Sequence, residues 1–470
     1  MKSRGECKNA LSRRGFLRLG VAGAAMTVAD WRLWAAEEGL PDYYGEHLAN
    51  VAARIEALSE KCDDGFFFIT DLHIPSNRCV SGRILAKLIA ETGMKKVLCG
   101  GDMPEAFGGK ASVDRTIAAY REQWVKAVER AGGEFYPAKG NHDFTIKDGP
   151  TAQNGFTYSG KEARDILMNT AAIKANAVTN PDDPEACYYY VDFPKAHVRY
   201  IVADTTDSVR TDRTYWAVQY GMGARQLDWI AEKALSTIPS GWVAVLMHHI
   251  PVAGIVSGES GNLNLFAPWR NILEAYQNRG KASVGGKVYD FSGAQGRLLC
   301  SLTGHEHAER QTYQNGFWHI TEPCDAAYSD YIVGSVPWCR NLPKKEKGTV
   351  YEQTFDAVHI DGRNNALHFT RIGGGGNRTY HLDALRAKIG EPLRIKVANW
   401  MGPVTWGCYD ADRVTSKKNP ANKYQRFYCY FNDIAEVSSD GTLIARKPGE
   451  SVVLAIAANG DKEIFPVTTV

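Results

Sequence analysis

The sequence predicts an α/β protein, a layered domain of mixed sheets and helices followed by a small all-β region. Three observations predict it. From about residue 64, short apolar runs alternate with amphipathic stretches, the pattern of strands and covering helices. Five short polar motifs each stand directly behind one of the apolar runs. After the glycines Gly373 to Gly376, helical periodicity stops and strand-and-turn patterning takes over.

Taken in chain order, the first feature is Ser12-Arg13-Arg14-Gly15-Phe16-Leu17-Arg18, followed by a mildly apolar run from Leu19 to Ala29. It resembles a twin-arginine export signal, placed at residues 1–36, and implies a periplasmic or secreted protein without an integral membrane span in its mature form. The run is too short for a bilayer, which needs about 20 apolar residues.

Phe66-Phe67-Phe68-Ile69 reads as a strand, and Ile84, Leu85, Leu88 and Ile89 as the stripe of a helix. Val97-Leu98-Cys99 is the next strand. Val113, Ile117, Tyr120, Trp124 and Val128 then recur at helical steps until Gly132-Gly133. Further strands are expected over 198–202, 242–246, 298–302, 353–358 and 367–370, with a helix over about 225–235 between the first two. The glycine run is the expected boundary between a domain over 37–376 and a tail over 377–470. In the tail, residues 435–445 read as two strands joined at Asp440-Gly441, and 451–456 as another.

Composition narrows the function classes. With 470 residues the chain exceeds what one compact core usually serves. Lys and Arg number 55 against 53 Asp and Glu, a net charge of +2, so no field gathers nucleic acid or anionic membrane and a nuclease is disfavoured. The 10 cysteines form no C-x-x-C pair, which argues against a zinc knuckle or a redox pair. Cys408 and Cys429 share one segment, where an oxidising compartment would permit a bridge.

The five motifs carry the chemistry: Asp71-Leu72-His73, Gly100-Gly101-Asp102, Gly140-Asn141-His142-Asp143, Met247-His248-His249 and Gly304-His305-Glu306-His307. Ligand sites of open α/β sheets form beyond the carboxyl ends of the strands, so these distant motifs can converge on one rim. Six of the 12 histidines lie within them, a concentration that points to metal binding. Mixed imidazole and carboxylate donors, with no thiolate in any motif, suit zinc, iron or manganese. Asp71 and His73, two apart on an extended chain, are expected to present both side chains to one ion, and His305 and His307 likewise.

The order D-x-H, G-D, G-N-H-D, H and G-H-x-H resembles that of the calcineurin-like metallophosphoesterases, over about residues 64–375. The resemblance implies a four-layer αββα sandwich and two divalent ions. One would be held by Asp71, His73 and His307, the other by Asn141, His248 and His305, with Asp102 bridging. It further implies His142 as the catalytic histidine and Asp143 as the carboxylate that orients it. Within the pair, the family's habit favours His248 over His249, leaving His249 to packing. The implied reaction is hydrolysis of a small phosphorylated substrate, monoester or diester. Two ions about 4 Å apart acidify a bridging water and draw charge from the phosphate oxygens, while His142 assists the leaving oxygen.

Substrate choice is expected to reside in 144–163 and 251–294, with Arg210, Arg213, Tyr215 and Arg270 available to grip an anion. His319, His197, His359 and His368 read as structural. The tail resembles a bacterial immunoglobulin-like domain of the second group, which implies a β-sandwich that can contact the cell envelope. The competing reading is an adhesion protein with a relic phosphoesterase domain; the intact ligand positions speak against it.

Overall fold

The computed structural model describes residues 39–74, 80–104, 110–143, 160–207, 220–252, 265–326, 332–334, 345–397, 400, 402–411, 414–419 and 422–470. The export signal expected over 1–36, the substrate-loop residues 144–159 and 253–264, and Arg210, Arg213 and Tyr215 lie outside them. No helix among the described residues is long and apolar enough to cross a membrane.

Two large sheets organise the molecule. The first has ten strands, ordered Thr405–Asp410, Gly449–Ile456, Lys462–Thr469, Arg378–His381, Ala366–Gly373, Thr354–Asp361, Asp64–Ile69, Lys96–Cys99 and Glu134–Pro137, with Leu385–Ala387 also paired to Lys462–Thr469. The second has seven, ordered Arg310–Gln314, Phe317–Thr321, Arg297–Thr303, Val243–Met247, Val198–Val202, Tyr189–Phe193 and Ala177–Thr179.

Side-chain alternation makes the layers. In Val243–Met247, Val245 and Met247 join the core shared with the first sheet, while Ala244 and Leu246 face Trp229, Ile230, Trp269 and Ile272 of the covering helices. The strand Asp64–Ile69 buries Phe66, Phe67, Phe68 and Ile69 alike, as a central strand covered on both faces must. The helix Gly45–Ser59 covers the outer side of the first sheet through Leu48, Val51 and Ile55. These are the four layers expected.

Three local features differ from the sequence reading. The stripe over 113–128 belongs to one helical rod, but Tyr120–Val125 forms a π turn between Lys110–Ala119 and Lys126–Arg130. The stretch 251–294 is only partly loop: its described part contains the helix Ala267–Gln277 and the hairpin Lys281–Val284 with Lys287–Asp290. Cys408 is a free, buried thiol.

The glycine run does not break the sheet. Gly374 donates to Gln353 O at 3.1 Å, and Arg378–His381 then pairs with Ala366–Gly373 on one side and Lys462–Thr469 on the other. The tail is all-β. Ala435–Val437 and Thr442–Ala445 pair antiparallel around the expected Asp440-Gly441 turn. Along Gly449–Ile456, Val452, Leu454 and Ile456 enter the main core, while Val453 and Ala455 enter a smaller one with Leu443 and Phe465.

A buried ionic cluster locks this junction. Arg378 reaches Glu322 Oε1 at 2.7 Å and Asp356 Oδ2 at 2.8 Å, while Arg371 and Lys462 both reach Glu309. All six side chains are buried, and burial, reinforced by the Asp356 carboxylate, pushes the Glu322 pKa well above the usual carboxylate range against the pull of Arg378 and Arg371. Burial acts to raise the Glu309 pKa, but Lys462, Arg378 and Arg371 together hold it well below the usual carboxylate range.

Candidate metal centre

Every motif leaves the carboxyl end of a strand in the parallel part of a sheet. Asp64–Ile69, Lys96–Cys99 and Glu134–Pro137 run parallel and deliver residues 71–73, 100–102 and 140–143. Val243–Met247 and Arg297–Thr303 run parallel in the second sheet and deliver 248–249 and 304–307. The two sheets therefore bring all five motifs to one rim.

Asp71 and His73 are not on extended backbone. They have φ of 55° and 45°, and Asp102, His305 and His307 have 53°, 67° and 53°. All five lie in the left-handed region that side chains disfavour, a strain characteristic of functional sites. Backbone bonds hold it: Asp71 N donates to Gly101 O at 2.9 Å and His73 N to Asp102 O at 3.0 Å. The motif glycines answer to close approach. A Cβ on Gly140 would stand 2.1 Å from Asp102 Oδ1, and one on Gly304 2.1 Å from Asp71 Oδ2.

The donors form two groups. In the first, His73 Nε2 and His307 Nε2 stand 3.0 Å apart, with Asp71 Oδ1 3.5 and 3.2 Å from them. In the second, Asn141 Oδ1 lies 2.8 Å from His305 Nδ1 and 3.0 Å from His249 Nε2. Asp102 sits between the groups. Its Oδ2 is 3.2 Å from His249 Nε2 and 3.8 Å from His73 Nε2, while its Oδ1 accepts the His142 backbone N–H at 2.8 Å.

Two sequence assignments are corrected. His248 does not face this site: its Nδ1 is 2.9 Å from Ile250 O, and its Nε2 meets neither Asn141 nor Asp102. His249 takes the place instead, because the chain turns at the end of its strand so that the second imidazole reaches back to the rim. Asp143 does not orient His142. Its bonds go to backbone, accepting from Asp102 N at 2.9 Å, Gly140 N at 2.7 Å and Met103 N at 2.5 Å, so it braces the loop that carries Asp102. His142 itself stands at the mouth, with Nε2 3.9 Å from Asp102 Oδ2 and its ring edge-on to His73.

The electrostatics call for positive charge. His249 Nδ1 donates to Gly100 O at 2.9 Å, which leaves Nε2 facing two acceptor oxygens, so this nitrogen holds either a proton or a metal ion. A cation at that point satisfies all three atoms, and a ligand imidazole anchored through its other nitrogen is the usual arrangement. Burial alone would lower the His249 pKa, yet the Asp102 carboxylate pulls it up to about 9. Burial likewise acts to raise Asp71 and Asp102, but the imidazoles of His307 and His249 hold them well below the usual carboxylate range. This donor set of carboxylates, imidazoles and one amide fits two divalent ions.

The chain matches the calcineurin-like phosphoesterase family over residues 66–309, more than half of its 470 residues. It belongs to that family. Membership implies binding of divalent metal and places the protein among phosphoesterases. Among solved structures it is similar to a dimetal phosphatase from Danio rerio, at 13% identity and a TM-score of 0.44 over 68% of this chain and 98% of that one. GAP50, the anchor in the inner membrane complex of Plasmodium, is similar at 12% identity and a TM-score of 0.38 over 67% and 85% of the two chains. No curated protein matches the chain. Membership rests on the residue 66–309 match rather than on these distant structures.

Sequence reasoning missed one buried group beside the site. The segment Glu322-Pro323-Cys324-Asp325 follows the strand Phe317–Thr321 at the same end of the sheet, and Asp325 N donates to Thr70 O at 3.0 Å. Its position behind a strand was the available signal. Arg270 donates to Val252 O at 3.1 Å; the pairing of Arg210, Arg213 and Tyr215 falls outside the described residues. His319 has the structural place expected, 2.9 Å from Ser301 Oγ.

Proposed function

We propose that the protein is an exported hydrolase of small phosphate esters that works with two divalent ions, manganese, iron or zinc. One ion is held by Asp71, His73 and His307, the other by Asn141, His249 and His305, with Asp102 shared. The observation that carries this reading is the single oxygen Asp102 Oδ2, placed 3.2 Å from His249 Nε2 and 3.8 Å from His73 Nε2. When bound, the ions supply an activated water and charge stabilisation for the phosphate oxygens.

The chain's own residues do the rest. Asp143 and the His142 backbone fix Asp102 from both sides, so the shared carboxylate is set before substrate arrives. The His142 side chain is 21% exposed at the mouth of the site, where it can pass a proton to the departing alkoxide. The Arg13-Arg14 motif supports export of the folded, metal-loaded protein. The strand pair around Asp440-Gly441 supports an immunoglobulin-like tail suited to contact with the cell envelope.

The test uses the full mature chain and two chromogenic substrates, nitrophenyl phosphate and bis-nitrophenyl phosphate, with manganese, zinc and iron supplied in turn. Metal-dependent turnover of at least one is expected. Asp102→Asn should fold yet lose most bound metal and nearly all activity. His142→Ala should keep its metal and lose about 10² to 10⁴-fold on an alkyl ester, less on a nitrophenyl ester that departs without a proton. Two ions and normal turnover in Asp102→Asn would sink the reading.

A further inference from the structure

The rim holds a thiol that the five motifs do not contain. Cys324 is wholly buried, and its Sγ, one ring nitrogen of His73 and one of His307 all lie within 4.8 Å of one another. The sulfur is therefore a neighbour of the first donor group, in which His73 Nε2, His307 Nε2 and Asp71 Oδ1 converge.

Its placement is rigid. Asp325 N donates to Thr70 O at 3.0 Å and Ala326 N to Asp71 O at 3.2 Å, so the segment runs along the backbone that carries Asp71. The Cys324 thiol donates to Asp71 O at 3.2 Å and lies 3.8 Å from Ala326 O, an S–H bond that an ion would replace, and Lys345 Nζ donates to the Cys324 carbonyl. Asp325, next in sequence, accepts from Ser81 Oγ at 2.6 Å, which ties the segment to the helix Val80–Thr92. These bonds fix the backbone of Cys324 beside Asp71, so only rotation about its Cα–Cβ bond moves the sulfur.

We propose that Cys324 is a thiolate ligand to the ion held by Asp71, His73 and His307. This rests on the two-metal reading above and adds the identity of the ion. A site of one carboxylate, two imidazoles and one thiolate favours a thiophilic ion such as zinc or ferrous iron over manganese or magnesium, whereas the second group, without sulfur, has no such bias. Coordination forms a metal–sulfur bond, and the thiol proton leaves to solvent; nothing is oxidised or reduced.

The experiment loads the metal-free full chain with cobalt(II) and records its absorption beside the bound stoichiometry. We expect about two cobalt ions per chain, visible d–d bands, and a near-ultraviolet thiolate-to-cobalt charge-transfer band. Cys324→Ser should lose that band while keeping the d–d bands. If two ions bind without the band, or if the band survives in Cys324→Ser, the thiolate assignment is overturned and the two-metal site stands. If no cobalt binds, the two-metal reading fails and the assignment falls with it. Should Cys324→Ser not fold, X-ray absorption of the zinc-loaded native chain decides: a sulfur neighbour at about 2.3 Å supports the assignment, and nitrogen and oxygen neighbours alone overturn it.

Discussion

The Asp143 carboxylate accepts the backbone N–H of Asp102 at 2.9 Å, so one acidic residue of the site exists to aim another. Asp143 also accepts from Gly140 and Met103, and it is buried. Asparagine offers one carbonyl oxygen where the carboxylate offers two, and its NH2 would confront an N–H. Asp143→Asn should therefore lose about 1 to 3 kcal/mol of stability and, through a displaced Asp102, much of its bound metal. Denaturant titration and elemental analysis measure both, and native values in the two assays would exclude the bracing role.

His248 and His249 are adjacent in sequence but separate in role. His249→Ala removes a donor from the second group and should reduce bound metal from about two ions to about one. His248→Ala should keep both ions and lose only stability, since His248 packs behind the rim with its Nδ1 against Ile250 O. Metal content of the two variants decides; the reverse pattern would restore His248 as the ligand.

A chain ending at Gly376 keeps all of the motif ligands, yet it loses the strands from Arg378 onward and with them one side of the first sheet. It should be insoluble. The milder variant Lys462→Met leaves the buried Glu309 carboxylate short of a cation and should cost about 3 to 5 kcal/mol. Adding Glu309→Gln should recover part of that. A soluble, active truncated chain would show that the tail is dispensable.

Two buried imidazoles set an acid limit. Burial lowers the His319 pKa to about 3 and the His359 pKa to about 4, from an ordinary 6.5. Depressed folded values mean that the unfolded chain takes up protons the folded chain refuses. Stability is thus complete above about pH 6.5 and is lost as pH falls towards 4, by about 1.4 kcal/mol per pH unit for each imidazole. Melting temperatures between pH 7 and 5 should fall accordingly, with a shallower slope in His359→Gln; an unchanged slope would remove His359 from the account.

The sequence by itself determined the layers and the location of the site. Apolar runs such as 66–69 and 242–246 read as buried strands from their length and composition, and a polar motif behind each then lies at a strand end, so convergence on one rim was expected from pattern. The order and spacing of the motifs also carried the family. Tertiary structure decided what depends on backbone direction after the strand ends. The turn behind Met247 chose His249 over His248. The left-handed residues at Asp71 and His73 replaced an extended pair. Asp143 turned away from His142 because three N–H groups face it. Cys324 reached the rim through pairing with Thr70 and Asp71, partners some 250 positions earlier. The glycine run, a boundary by composition, lies inside one sheet because Arg378–His381 finds hydrogen-bonding edges on both sides. Local patterns fix which residues are buried, whereas long-range pairing fixes which buried residues meet.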